Sequence, residues 1–198
     1  MCNIICITNR KLCNDFLAQI EKIAKAKPSA IVLREKDLQE EEYISLYNKV
    51  NKIASKYNVP VIINSYYNVA ISLGVKAVHI PLNILKNLSE ETKNKFSIIG
   101  TSCHSVEDAI FAKKLGCKYI FAGHIFATDC KKGLEPRGLE FLQNVAKSTN
   151  LPVYAIGGIN KDNCNLTLQN GAKGYCIMSG LMQAENVENY IKELKNNK

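Results

Sequence analysis

The eleven residues from Gly123 to Gly133 carry an unusual concentration of reactive side chains. The imidazole of His124 and the hydroxyl of Thr128 are joined there by a thiol, two ammonium groups and two glycines. The segment directly follows the apolar run 119–122, which reads as a buried strand. We therefore expect a loop that holds an anion beside an acid/base group.

Basic and polar residues also follow other apolar runs of the chain. Arg34 and Lys36 end the second run, and alternation along a strand points residues two apart in the same direction. An arginine and a lysine together suit a carboxylate or a phosphate, although an exposed cluster with Glu35 and Asp37 is the alternative. The other substrate-binding candidates are Arg10, Asn64, Ser102, His104, Thr128 and Lys131.

Two glycine-containing segments near the C-terminus are typical of phosphate loops. Gly157-Gly158 follows the seventh apolar run, and Met178-Ser179-Gly180 ends the eighth. Glycines let backbone N–H groups approach a phosphate, and a helix N-terminus adds a favourable dipole. The alternative for Gly157-Gly158 is a tight turn with no ligand.

The chain has three histidines, and their positions favour different roles. His124 follows the sixth run and is the best general acid/base candidate, because an unperturbed imidazole has a pKa of ~6.5. His79 lies inside the fourth run and is expected to pack or cap. For His104 the sequence leaves ligand contact and helix capping equally open.

The elements that must position these residues recur at regular intervals. Their continuous, β-branched apolar character suits parallel strands buried on both faces. The predicted strands are 4–8, 30–33, 61–63, 77–80, 97–100, 119–122, 153–156 and 174–178.

Amphipathic segments lie between most of these strands, clearly so at 16–24, 43–54 and 106–115. Ser105 is a predicted N-cap, and Gly74, Gly116 and Gly171 are predicted helix ends. Eight strand–helix units predict an α/β protein with a single (β/α)8 TIM barrel over residues 1–198. An open doubly wound sheet is the alternative, and the fourth unit, 81–94, offers only a short helix.

Composition limits the class of partner. Hydrophobic residues make up 46% and charged residues 22% of 198 residues, and the net charge is +8. No run approaches the ~20 apolar residues of a membrane span, and there is no signal-peptide pattern, so we expect a cytoplasmic protein. The charge favours a small anionic substrate over nucleic acid, because no arginine-rich run occurs. Eight cysteines without a CxxC pair indicate reduced thiols and no metal site.

The chain resembles the thiamine phosphate synthase superfamily over nearly its whole length. The resemblance rests on strand-end motifs that occur in the same order. They are Thr8-Asn9-Arg10, Leu33-Arg34-Glu35-Lys36, Ile63-Asn64, Gly100-Thr101-Ser102-Cys103-His104-Ser105, the loop from Thr128 to Lys131, Ala155-Ile156-Gly157-Gly158-Ile159 and Met178-Ser179-Gly180.

Two branches of this superfamily differ at the positions that concern magnesium. The synthases join hydroxymethylpyrimidine pyrophosphate to thiazole phosphate with magnesium, and they resemble one another in two aspartates, after strands three and four. Ser65 and Ile84 stand at those positions here, and neither side chain can serve as a hard anionic ligand. The loop 121–135, with His124, instead resembles the TenI-type thiazole tautomerases.

The resemblance thus implies an isomerase, a thiazole tautomerase of thiamine biosynthesis. His124 would transfer the proton, and Gly157, Gly158, Met178, Ser179 and Gly180 would hold the phosphate. No cofactor and no metal are expected, and relatives imply a homodimer. The alternatives are a thiamine phosphate synthase and a non-catalytic TenI-like regulatory or ligand-binding barrel.

Overall fold

In the computed structural model, which describes residues 3–196, eight parallel strands close into a barrel in chain order. The open-sheet alternative is therefore wrong. The strands are β1 (Asn3–Ile7), β2 (Ala30–Leu33), β3 (Val61–Asn64), β4 (Ala77–His79), β5 (Ile98–Cys103), β6 (Tyr119–Gly123), β7 (Val153–Ile156) and β8 (Gly174–Ile177).

Helices connect the strands and cover the outside of the barrel. They are α1 (Phe16–Lys25), α2 (Glu40–Ser55), α3 (Tyr67–Ser72), α4 (Leu82–Leu85), α5 (Glu90–Lys93), α6 (Val106–Lys114), α7 (Gly138–Ser148), α8 (Cys164–Gln169), α9 (Ser179–Met182) and α10 (Val187–Asn196). Two 3-10 turns, Arg10–Leu12 and Asp129–Lys131, follow β1 and β6. Within the described residues no helix combines the length and apolar character needed to cross a membrane.

Local chemistry sets several helix boundaries as the sequence predicts. The Ser105 hydroxyl accepts the N–H of Asp108 at 3.0 Å and caps α6. Gly74, Gly116 and Gly171 all have positive φ at the ends of helices, the conformation in which glycine avoids a steric cost.

Alternation along the strands divides the core into two shells. One face of each strand packs against the helices, as Ile4 and Leu33 do, whereas Ile5 and Val32 point into the barrel. Gly100 lacks a side chain because the ring of Tyr119 fills that space inside the barrel. The interior is thus packed below its upper end, which leaves room for a ligand only there.

Strands β2 and β7 have the predicted bounds, most other strands differ by one residue at an end, and β5 and the fourth unit differ most. Strand β5 continues to Cys103 rather than ending at Gly100, so Ser102 belongs to the strand and its backbone is fixed by β-sheet pairing with β6. The fourth unit contains two short helices, α4 and α5, where one was expected. The chain turns after α4, and the Ser89 side chain then caps the N-terminus of α5.

Most of the described cysteines are buried packing residues, whereas Cys13 is half-buried and Cys130 is exposed. The seven within the described residues are free thiols, and Cys2 lies outside that range. Burial raises the pKa of Cys103 and of Cys117 to about 12, so both remain protonated at neutral pH.

Candidate active site at the mouth of the barrel

A cavity of about 690 Å³ opens at the carboxyl ends of the strands. This volume is in the range of small-molecule sites. Most predicted site residues line it, namely Arg34, Lys36, Asn64, Ser102, His104, His124, Thr128, Lys131, Gly157, Gly158, Met178 and Ser179. Arg10 and Gly180 are not among its lining residues.

Aromatic rings form the floor of the cavity. His79 stacks on Phe121 with ring centroids 4.2 Å apart. Its Nε2 lies 3.0 Å from the Ser102 hydroxyl, and its Nδ1 lies 3.2 Å from the Tyr119 hydroxyl. Burial lowers the pKa of His79 to about 3, so the imidazole is neutral. The predicted packing role is confirmed, and the residue also faces the ligand space, which the sequence prediction missed.

Four basic side chains surround the opening, and we call them the cationic rim. They are Arg34, Lys36, Lys86 and Lys131. Partial burial lowers the pKa of Lys36, and the charges of Arg34 and Lys131 lower it further, which shows that the three cations share one region. Within residues 3–196 no carboxylate lies close enough to any rim residue to form an ion pair.

The acidic residues that alternate with the rim contact a different partner. Glu35 accepts from the Thr8 hydroxyl at 2.7 Å and pairs with the Arg10 guanidinium at 3.1 Å. Asp37 pairs with Arg10 at 2.6 Å and with Lys11 at 2.7 Å. Arg10 is not among the residues that line the cavity, and two carboxylates neutralise its charge, so its substrate-binding role stays a prediction from the sequence.

Two tyrosines hold the segment after β2 in position. The Tyr43 hydroxyl donates to the carbonyl of Leu33 at 2.6 Å, and the Tyr66 hydroxyl donates to that of Leu38 at 2.7 Å. Their rings stack with centroids 4.0 Å apart. This support lets Arg34 present its charge to the cavity from a rigid backbone.

Glycines form the opposite wall of the cavity. Gly157 and Gly158 have φ of 100° and 66°, and a Cβ at either position would collide with the segment that follows β6. That segment crosses directly over them, with Phe126 N–H donating to the Gly157 carbonyl at 3.0 Å. Ser179 begins α9, where the first N–H groups have no helical acceptor. Gly180 is not among the residues that line the cavity, and a Cβ at this position would collide with Tyr190, so its role as a phosphate ligand stays a prediction from the sequence.

The loop after β6 is anchored by hydrogen bonds of its own side chains. His124 is 8% exposed, and its Nε2 lies 3.3 Å from the carbonyl of Leu134. Nδ1 of His104 lies 2.7 Å from the carbonyl of Gly123, so this ring nitrogen donates. The Thr128 hydroxyl accepts the N–H of Cys130 at 3.4 Å and caps the 3-10 turn that carries Lys131.

The residues present do not fit a magnesium ion of the synthase type. Ser65 lines the cavity, but its hydroxyl donates to the Asn64 side chain at 3.2 Å, and Ile84 does not line it. The cavity wall includes one carboxylate, Asp108, which accepts the N–H of His104 at 2.8 Å. Within the described part of the chain no three His, Cys, Asp or Glu residues form a group able to hold a metal.

Sequence reasoning missed Lys86 and Phe121. Phe121 sits inside a predicted strand, and alternation alone placed it on one of two buried faces. Lys86 follows Leu85 at the end of α4, in the unit that the sequence described least well. The position of Lys86 on the rim depends on the conformation of the turn after β4, which the spacing of residues in the sequence did not predict.

Barrel, cavity and strand-end residues together define a (β/α)8 protein with a basic cavity at the carboxyl ends of its strands. The thiamine monophosphate synthase family matches residues 4–181. The chain belongs to this family, which confirms the resemblance at the level of the superfamily without specifying its TenI branch.

Individual relatives agree with the family. The thiamine-phosphate synthase of Clostridium acetobutylicum is 32% identical over 185 residues, 92% of this chain and 88% of that protein. A putative thiamine-phosphate synthase 2 of Aquifex aeolicus is 34% identical over 178 residues, 89% and 96% of the two chains. The structure of thiamine phosphate pyrophosphorylase from Pyrococcus furiosus is 28% identical, with a TM-score of 0.84 over 98% of this chain and 94% of that one.

These names correct the predicted activity. Relatives at about 30% identity over most of the chain are thiamine-phosphate synthases, which are transferases. The prediction of a thiazole tautomerase, and of an isomerase rather than a transferase, is therefore wrong. The proton-transfer role given to His124 depended on that reaction and is withdrawn with it. The expectation of a phosphorylated small-molecule substrate stands, because membership of the thiamine monophosphate synthase family implies such compounds.

Proposed function

We propose that the protein is a thiamine-phosphate synthase, which joins hydroxymethylpyrimidine pyrophosphate to thiazole phosphate. One structural observation supports this function above the others. One cavity is lined both by the four cations of the rim and by the glycine segments after β7 and β8, and Phe121 and His79 stack on each other in its lining. Two phosphorylated substrates need such an arrangement if they are to react while both are bound.

The walls suggest which substrate binds where. Backbone N–H groups near Gly158 and Ser179 suit a single phosphate, that of the thiazole. The cationic rim suits the diphosphate, which carries more charge. The pyrimidine ring would then lie over Phe121 and His79, where a neutral imidazole and a hydroxyl can meet its nitrogen atoms.

The reaction at this site is a displacement at one carbon atom. The thiazole nitrogen forms a bond to the methylene carbon of the pyrimidine. The bond from that carbon to the diphosphate oxygen breaks, and the diphosphate leaves with the electron pair. Negative charge grows on the leaving group, so the rim cations stabilise the transition state more than the bound substrate.

A direct assay tests the proposal. Purified protein is incubated with both substrates, with added magnesium and in a separate EDTA arm, and thiamine phosphate and diphosphate are measured by chromatography. We expect both products in equal amounts, and a loss of rate in Lys36→Ala. Lys118→Ala is the matched control, because Lys118 is exposed before β6, at the other end of the barrel. Binding of both substrates without product would instead favour the ligand-binding barrel.

Further predictions from the sequence accompany this proposal. We propose a cytoplasmic, single-domain protein over residues 1–198 that forms a homodimer and does not bind nucleic acid or membrane. Sedimentation of the purified chain at micromolar concentration would test the dimer, and a monomer at that concentration would contradict it.

A further inference from the structure

The wall of the cavity at the ends of β3 and β4 differs in charge from what a magnesium-dependent diphosphate site requires. Magnesium beside a substrate phosphate is usually held by one or two carboxylates. This chain has Ser65 on the wall and Ile84 away from it. The charged residue that this side of the barrel contributes is Lys86, at the end of α4, and its charge is positive.

The rest of the rim strengthens this contrast. Arg34, Lys36 and Lys131 face the same opening, and no rim residue has a carboxylate partner within residues 3–196. The mutual repulsion of like charges is unfavourable unless a ligand neutralises them. Some lysines elsewhere in the described chain pair with carboxylates, as Lys25 does with Glu188 at 3.4 Å, whereas the four rim cations face one cavity. The rim therefore has the charge of an anion site rather than of a cation site.

A divalent ion would also be disfavoured by the rim itself. Its charge would add to four nearby positive charges, with one carboxylate, Asp108, on the cavity wall. That carboxylate already accepts the backbone N–H of His104. Partial burial and the neighbouring cations lower the pKa of Lys36, which is the behaviour of a group that repels further positive charge.

We propose that this cavity binds a diphosphate group without a divalent cation, through the cationic rim, and that Lys86 supplies the positive charge on the side where a metal would otherwise stand. The inference rests on the proposed function for the identity of the diphosphate substrate. It deepens that function by giving the ionic form of the substrate, which is the bare diphosphate and not its magnesium complex.

Calorimetric titration with inorganic pyrophosphate tests the ionic form. Magnesium binds free pyrophosphate, so a site that accepts the bare anion loses apparent affinity as magnesium is added. A site that uses the metal gains affinity. We expect measurable binding in EDTA and weaker binding at millimolar magnesium. Affinity that rises with magnesium, or binding that is absent in EDTA, would overturn the inference.

The contribution of Lys86 is tested with a charge-matched pair of variants. Lys86→Gln is expected to weaken pyrophosphate binding in EDTA about fivefold, an effect of the size measured for single exposed charges. Lys118→Gln removes one positive charge from the opposite end of the barrel and should leave the affinity unchanged. Equal affinities for the two variants would remove Lys86 from the site, since the net charge is the same in both.

The binding experiment with pyrophosphate gives its result whether or not the protein makes thiamine phosphate. If the protein binds pyrophosphate in EDTA but makes no thiamine phosphate, the proposed function fails and the metal-free anion site stands. If it makes thiamine phosphate only when magnesium is present, and magnesium strengthens pyrophosphate binding, the proposed function stands and this inference fails.

Discussion

Two groups of basic residues at the same end of the barrel differ in what neutralises them. At the end of β1, Arg10 lies 3.1 Å from Glu35 and 2.6 Å from Asp37, and Lys11 lies 2.7 Å from Asp37. We call this group the paired corner. The cationic rim has no such partners within the described chain, although two of its members alternate with the same two acids along residues 34–37.

The difference shows that the short segment 34–37 contributes both to the stability of the fold and to the lining of the cavity. Along residues 34–37, Arg34 and Lys36 line the cavity, whereas Glu35 and Asp37 pair with residues that follow β1. The two acids thus stabilise the end of β1, and Arg34 and Lys36 remain available to a ligand. Several unpaired charges that face one cavity indicate a binding site, whereas a charge with a carboxylate partner contributes to folding.

Removing the buried acid should produce the largest effect and would break the paired corner. Glu35→Ala deletes a carboxylate that is 2% exposed and accepts from Thr8 and Arg10. We expect a loss of about 3 kcal/mol in the free energy of unfolding, measured with urea, because Arg10 loses its buried partner. Asp37→Ala, at the exposed part of the same corner, is the control and should cost far less. Similar losses would show that burial does not distinguish the two acids.

A glycine on the wall opposite the rim should give the next largest effect. Gly158→Ala places a side chain at φ 66° and against the backbone of Phe126 and Ala127. We expect a loss of about 2 kcal/mol in stability, part from the strained backbone and part from the collision. Gly133 has a φ of 79°, but a Cβ there would meet no atom within 4 Å. Gly133→Ala is therefore the control that measures the cost of the strained backbone without a collision.

The outcome at Gly158 bears on the anion site as well as on stability. Displacing Phe126 would move the loop that carries Lys131, so pyrophosphate affinity should fall in Gly158→Ala and not in Gly133→Ala. Equal stability losses in the two variants would mean that the contact with the loop is not tight.

Much of the fold could be predicted from the sequence because it depends on local patterns. Buried parallel strands are continuous apolar runs, and β2 and β7 begin and end at the predicted residues. The extension of β5 to Cys103 was missed because Thr101 and Ser102 are polar and read as a loop. In the structure Thr101 is buried, and the Ser102 hydroxyl meets His79 on the adjacent strand.

The site was harder to predict because charge partners are set by tertiary contacts. Arg10 and Arg34 look alike in sequence. The ion-pair partner of Arg10 is Glu35, which lies 25 positions further along the chain, and no local pattern predicts that pairing. Twelve of the fourteen predicted site residues do line the cavity, since strand ends are fixed by the barrel. The choice between transferase and isomerase depended on Ser65, Ile84 and His124, and overall similarity to synthases outweighed those three positions.

The pH dependence of stability tests a third environment, the neutral floor beneath the rim. Burial lowers the pKa of His79 to about 3, whereas in the unfolded chain histidine titrates near pH ~6.5. Between these values the unfolded chain binds the additional proton, so this contribution to stability is lost as pH falls below ~6.5. Comparing wild type with His79→Asn should show about 2 kcal/mol more loss in the wild type between pH 8 and pH 5. Parallel pH profiles of wild type and His79→Asn would mean that the imidazole binds a proton equally well in the folded and the unfolded chain.

Replacing each of the two arginines by alanine in turn tests whether the paired corner and the cationic rim have different roles. Arg34→Ala should weaken pyrophosphate binding about tenfold, equivalent to about 1.4 kcal/mol, and leave the free energy of unfolding nearly unchanged. Arg10→Ala should do the reverse, because it leaves Glu35 buried with fewer donors and removes no charge from the cavity. Titration and urea unfolding of both variants give four values. If Arg10→Ala weakened binding as much as Arg34→Ala while remaining stable, partnered and unpartnered charges would have the same role, and ion pairs could not be used to find the ligand side of this barrel.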